Sequence, residues 1–376
     1  MKDKIITFIL ILLILIIVGG IGSLGYIVYT ELTENGIIEI DFEQENGFPT
    51  IKYVSSNDSS IKIDENIFEG VEDSESNSTT EKNETETKKS RNLYNQLNPI
   101  AKTLYSKLYQ AKEELKTGRH KIDFGDTFQS VLSQENGETE LKKQYQSAVE
   151  ALIYENPDIF FLDVTKMYLN IEKITKVTGT KYNVFIDSGN EISYLDRGFS
   201  TKEDVEKSEA QIEKIKNQII AQVSQKNDYQ KIKMIHDYLI DSIEYESDLT
   251  QDHVYNIYGA LVNKKCVCEG YAKAFQYLMN EVGIENVIVI GTGTNSKNET
   301  ENHAWNYVKL EDKWYAVDVT WDDPLITDGS KLTNKDKYAY FLKGANTIKE
   351  NHVESNKFTE NGQIFTYPEL SIEDYK

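Results

Sequence analysis

NKKCVCEGYAKAFQYLMNEVG, residues 263–283, changes character part-way along. Turn-like residues give way to a helical stripe of Tyr271, Phe275, Leu278, Met279 and Val282, and Gly283 supplies the stop. Cys268 is therefore expected at a helix N-terminus, where unpaired backbone N–H groups and the positive end of the helix dipole favour a thiolate over a thiol. A small buried Cys in a first turn is the alternative. The chain has 2 cysteines, Cys266 and Cys268, too few for a disulfide framework. An extended i, i+2 pair reaches disulfide geometry only under strain.

The neighbouring stretch decides between those alternatives. ENHAWNYVKL (301–310) and KWYAVDVTW (313–321) alternate as two strands of a hairpin around Glu311-Asp312. If Leu310 pairs with Lys313, His303 lies opposite Thr320 and Asp318 opposite Trp305, so His303 and Asp318 become diagonal neighbours on one face. A carboxylate in that place orients the imidazole, and an oriented imidazole takes the proton of a thiol nucleophile.

The run CEGYAKAF, then HAWNYV, then WYAVDVTWDDP resembles the core motifs of the transglutaminase-like superfamily. The resemblance covers about residues 230 to 325, with IHDYLIDSIEYE and YNIYGALVNK upstream of the Cys. It extends loosely over 93 to 370 through ALIYENPDIFFLD and YFLKGANTIKENH, which are similar to segments of bacterial surface proteins. It implies an α+β fold: a papain-like core with the Cys-bearing helix packed on an antiparallel sheet, preceded by a small α+β domain. It also implies a catalytic triad of Cys268 as nucleophile, His303 as base and Asp318 as orienting acid, acting without a cofactor. The Cys268 N–H is the natural first oxyanion donor. Tyr258 is a candidate for the second, with a packed core tyrosine as the competing role. The reaction expected is acyl transfer or hydrolysis on protein or peptide amides, with the cell wall as one setting. Protease, transamidase and deamidase share this triad, and a non-catalytic surface scaffold is the reading from a different class.

The remaining candidates carry less chemistry. His236 is expected to be a packing or surface residue, and His120, His253 and His352 surface residues. Asp322 and Asp323 are expected to shape a turn; no His/Cys cluster accompanies them, so no metal is implied. Trp305, Trp314 and Trp321 are expected in the core and cleft wall. A net charge of −21 over 376 residues repels phosphate backbones and excludes nucleic acid as the main partner.

Towards the N-terminus the chain runs from Ile5 to Thr30 without a charge, long enough at about 1.5 Å per residue to cross a hydrocarbon core of roughly 30 Å. Two lysines precede it and Glu31 and Glu34 follow. The expectation is residues 1–4 in the cytoplasm, a transmembrane helix at 5–30 and everything beyond outside the cell. A cleaved signal peptide is the weaker alternative. Residues 31–92 are expected to be an acidic extracellular tether, in which Ile37 to Ile40 and Ile51 to Val54 carry too weak a strand signal to assign. Between Val71 and Asn92 the only apolar residue is Val71, so this part cannot offset its chain entropy by burial. An α+β domain is expected over 93–200 and the Cys-bearing domain over 201–370. Helices carry Ile100 to Leu115, Leu141 to Leu152, Ile212 to Val223 and Ile232 to Ile243, while FFLDVTKMYLNIEKI, KYNVFID and EISYL read as strands.

Overall fold

The structure is a computed structural model. It describes residues 38–45, 48–55, 69–70, 92–177, 179–323, 336–355, 357–358 and 362–376. The expected transmembrane helix at 5–30 and the segment 71–91 lie outside these residues. Among the described residues no helix is long and apolar enough to cross a membrane.

In chain order the strands β1 (Ile38–Glu45), β2 (Phe48–Ser55) and β3 (Glu69–Gly70) precede helix α1 (Pro99–Gln110), strand β4 (Ile122–Gly125) and helix α2 (Gly137–Glu155). Strands β5 (Tyr168–Lys176) and β6 (Gly179–Asp187) lead to helices α3 (Lys202–Val223) and α4 (Asp228–Ser242). Short strands β7 (Glu244–Tyr245), β8 (Thr250–Gln251) and β9 (Lys265–Cys266) then approach helix α5 (Cys268–Glu281). The chain continues through β10 (Asn286–Thr294), β11 (Thr300–Leu310), β12 (Lys313–Val317) and β13 (His352–Glu354).

The helices begin where the sequence places caps. Asn98 accepts the N–H of Ala101 ahead of Pro99, and capping boxes at Thr201/Asp204 and Asn227/Gln230 start α3 and α4. The expected stripes are buried through Leu104 and Leu108, Leu141 to Leu152, Ile212 and Ile219, and Ile232 to Leu239.

Contacts divide the chain into two compact units, and residue 200 does not separate them. One unit draws on residues up to 59, 123–138 and 168–187 and holds a five-stranded sheet in the order β1-β2-β5-β6-β4. Strand β2 pairs antiparallel with β5 from Ile51↔Thr175 to Ser55↔Ile171, so part of the expected tether is sheet. The other unit takes residues 60–122, 139–167 and 188–376, which puts the helices expected in the first domain together with the Cys-bearing core. EISYL forms no strand; Leu195 makes an isolated bridge to Leu162.

In the second unit the antiparallel sheet β12-β11-β10-β13 carries the core. Helix α5 buries Tyr271, Phe275, Leu278 and Met279, and Asn306 of β11 donates to Ala272 O at 3.0 Å, fastening helix to sheet. The hairpin has the expected register, Leu310↔Lys313 through Asn306↔Val317. Glu311 and Asp312 take φ 51° and 60°, the left-handed pair that matches strand twist in a two-residue turn.

Candidate active site

Cys268 is delivered to its position by its neighbours. β9 runs parallel to β7 with Cys266 opposite Tyr245, Val267 donates its N–H to Val254 O at 2.9 Å, and Val267 in extended conformation caps α5. Cys268 is then the first helical residue, and the first N–H groups of a helix have no acceptor within it. Gly270 lets this turn sit close: a Cβ there would lie 2.5 Å from Cys266 Cβ and 2.8 Å from Val254 O. Cys266 is fully buried while Cys268 is half-buried, and both are free thiols.

Just beyond the paired end of β12, Asp318 turns its carboxylate onto His303, with Oδ2 2.7 Å from Nε2. Both residues are buried. Oδ1 accepts the N–H groups of Thr320 at 3.0 Å and Trp321 at 3.2 Å. Burial opposes the charge on His303, but the Asp318 carboxylate, the hydrogen bond to it and a hydrogen bond to the Cys268 sulfur prevail and push the imidazole up to about 10. Burial likewise works against the Asp318 anion, which the His303 charge and bonds nevertheless hold well below the usual carboxylate range. With Nε2 committed to Asp318, Nδ1 is the ring atom left for the Cys268 thiol.

Around Cys268, His303 and Asp318 the structure places residues differently from several sequence expectations. His352, expected on the surface, is 3% exposed, with Nε2 3.1 Å from the same Asp318 Oδ2. A three-residue strand has no periodicity from which burial can be read. His253 has only a 7% exposed side chain, which contacts Asp196, Phe199 and Tyr258. His236 is fully buried, with Nε2 3.0 Å from Asp322 Oδ2, and its ring packs on Tyr338 and Phe341. Asp322 and Asp323 do more than shape a turn. Asp322 accepts the Tyr340 N–H at 2.8 Å and Asp323 accepts the Tyr271 hydroxyl, so the two buried carboxylates tie the loop after β12 to the body. Burial, against the bonds from His236 and Tyr340, pushes Asp322 up to about 6.

Tyr258 donates its hydroxyl to Gln211 Oε1 at 3.0 Å and stacks on Phe160, which is a packing role linking it to α3. Tyr245 is a phenol the sequence did not single out. Burial first, then the charges of Cys268 and Glu301, hold it protonated far above its ordinary range. Trp321 tilts over His303 at 5.0 Å and Trp305 stacks beside it at 6.0 Å between centroids. His303, Asp318 and His352 bring three potential ligand atoms within 4.8 Å, and hydrogen bonds among these atoms already account for that closeness.

A cavity of about 410 Å³ borders the same helix. Glu269 and Lys273, paired at 2.5 Å, form part of its wall with Tyr154, Phe160, Arg197 and Asp252. Glu269 follows Cys268 directly in sequence.

Residues 214–319 match the family model described as the transglutaminase-like superfamily. This segment is a transglutaminase-like core. The chain is 29% identical over 189 residues to the kyphoscoliosis peptidase of Mus musculus, covering 46% of this chain and 28% of the relative. It is 30% identical over 154 residues to that of Homo sapiens, covering 38% and 23%. The chain thus spans about a quarter of the length of these curated relatives. Among solved structures, a TGase overlays with a TM-score of 0.29 at 17% identity, over 46% of this chain and 48% of that one. A protein described as a cysteine protease from Cytophaga hutchinsonii overlays with a TM-score of 0.26 at 16% identity, over 44% and 70%. At these scores neither overlay bears on the argument. The transglutaminase-like core contains Cys268, His303 and Asp318, in chain order, on its helix, its central strand and the end of its hairpin.

Proposed function

We propose that the chain is a thiol acyl-transfer enzyme that cleaves peptide or side-chain amides. The observation that carries this reading is the buried His303–Asp318 pair at 2.7 Å, set beside a cysteine at a helix N-terminus. In the proposed reaction His303 Nδ1 takes the Cys268 proton and the thiolate attacks the amide carbonyl. The C–N bond then breaks as His303 returns that proton to the leaving amine, and a thioester remains. Water, deprotonated by His303, attacks the thioester and releases the acid and the free thiol. The Cys268 N–H supports the tetrahedral oxyanion, and Tyr245, paired with Cys266 across β7 and β9, takes the place of second donor from Tyr258, whose hydroxyl donates to Gln211.

Hydrolysis is favoured over transfer to an amine because it requires no second binding site. The relatives' peptidase name is consistent with it. The cavity beside Glu269 is proposed to hold part of the peptide. Residues 5–30 are proposed to anchor the enzyme in a membrane with the rest of the chain outside the cell.

The test incubates the full chain with a pool of glutamine- and lysine-containing peptides and a labelled primary amine. Cleaved peptides without label, lost in Cys268→Ala, are expected. Label attached in a Cys268-dependent way would replace hydrolysis by transamidation, and no product of either kind would overturn the enzymatic reading.

A further inference from the structure

Asp318 has two imidazoles on one oxygen. His303 and His352 both direct Nε2 at Oδ2, at 2.7 and 3.1 Å, while Oδ1 takes two backbone N–H groups. A carboxylate offers about four lone-pair sites, so this one is saturated. Such saturation is absent from a minimal triad, in which the carboxylate serves a single imidazole.

The hydrogen bonds behind His352 indicate which form of the ring is present. A carboxylate only accepts, so His352 Nε2 carries a proton. Its Nδ1 lies 2.8 Å from the Asn351 amide, whose other end is 2.8 Å from the Tyr340 hydroxyl. Burial, against the Asp318 interactions, keeps the His352 ring on the neutral side of its ordinary range, so Nδ1 is bare and needs a donor. A half-turn of the Asn351 amide supplies one, since its oxygen and nitrogen are interchangeable in shape. The Tyr340 hydroxyl, held protonated by burial, then donates to Asn351 Oδ1, Asn351 Nδ2 donates to His352 Nδ1, and His352 Nε2 donates to Asp318. Every donor in the string points towards the carboxylate.

We propose that His352 is a positioning residue of the active site, fixed in one tautomer by Asn351 and Tyr340 so that it shares Asp318 with His303 and keeps that carboxylate correctly turned. This inference rests on the triad reading given above. Without the His352 donor, Asp318 has a buried lone pair unfilled, and its Oδ2 is no longer held in the direction that faces His303. An Asp318 turned out of line supports the His303 imidazolium less, and with it the Cys268 thiolate that the imidazolium stabilises. The charged and titratable groups that bear on the pair are Cys268 from α5, His303 from β11, His352 from β13, and Asp322 and Tyr340 from the segment after β12.

The experiment follows the rate of Cys268 alkylation by iodoacetamide against pH in the purified full chain. In His352→Phe, which keeps a ring but removes the donor, the acid limb is expected to move up by about one to two pH units, the effect of one hydrogen bond to a charged group. In His352→Gln, whose amide reaches the Nε2 position, the limb is expected to return towards wild type. A cooperative thermal transition confirms that each variant is folded. A wild-type profile in folded His352→Phe overturns the proposal, as does a Gln variant no nearer to wild type than the Phe variant. If the Phe variant does not fold, Asn351→Leu decides: it frees the His352 tautomer and must shift the limb upward, and an unshifted limb there overturns the proposal. Alkylation requires only the thiol, so a chain that turns over no peptide still reports on His352. The two ideas therefore fail separately.

Discussion

Cys266 and Cys268 are two positions apart and differ in burial, in local structure and in the groups around them. Cys266 lies in β9, wholly buried, and burial together with the Cys268 charge pushes its thiol well above the ordinary range. Cys268 opens a helix, retains some exposure and has His303 as a partner. A thiol reagent at neutral pH is therefore expected to label Cys268 and leave Cys266 unmodified until the chain is denatured. His303→Ala is expected to slow the labelling by about a hundredfold, the usual size of a lost base. Peptide mapping by mass spectrometry reads both outcomes, and equal labelling of the two cysteines would remove the distinction. Cys268, His303 and Asp318 could be picked out from sequence because each sits in a strongly patterned segment. His352 and Asp322 could not, since their importance comes from partners 34 and 86 residues away.

At the level of elements, period and turn chemistry carried the hairpin to the residue. Counting outward from Glu311-Asp312 gives the observed pairs as far as Asn306↔Val317, and only the departure of Asp318 from the strand escapes the count. The apolar patches of β1 and β2 lie in a stretch mixed with acids, which weakens their strand signal, and alternation in a segment as short as EISYL does not distinguish a strand from an extended loop. The start of α5 shows a constraint that spacing alone hides. Gly270 faces Cys266 and the Val254 carbonyl, and an added Cβ would come closer to both than real Cβ contacts allow. Neither is the end of a flexible side chain, so the strand or the helix must shift. Gly270→Ala is expected to lower stability by about 1–3 kcal/mol, in spite of alanine's better helix propensity. Thermal unfolding measures this, and an unchanged or raised transition would show that the helix start tolerates displacement.

The whole molecule joins an N-terminal segment of one composition to a folded body of another, and the sequence located that change near Asn92 by its lack of apolar residues. What the sequence did not show is that strands on the N-terminal side of the change belong to the body. β2 pairs with β5 over five residue pairs, and β3 pairs with β8 at Glu69↔Thr250 and Gly70↔Gln251. This alters what proteolysis at the cell surface should do. Under the proposed topology, protease added to intact cells cuts between Val71 and Asn92, where the polar sequence cannot bury enough surface to resist. A simple tether would then release the remainder of the chain. Here the cut chain keeps β1 and β2 hydrogen-bonded to the sheet that includes β5 and β6, so the severed body is expected to remain on the cells through a neutral wash. It should come free, with the Cys268 thiol in the released fragment, only when denaturant breaks the sheet. Immunoblotting of washed cells and supernatant distinguishes the cases. Immediate release would mean that β1 and β2 do not hold the body, and protection of 71–92 until lysis would overturn the extracellular placement.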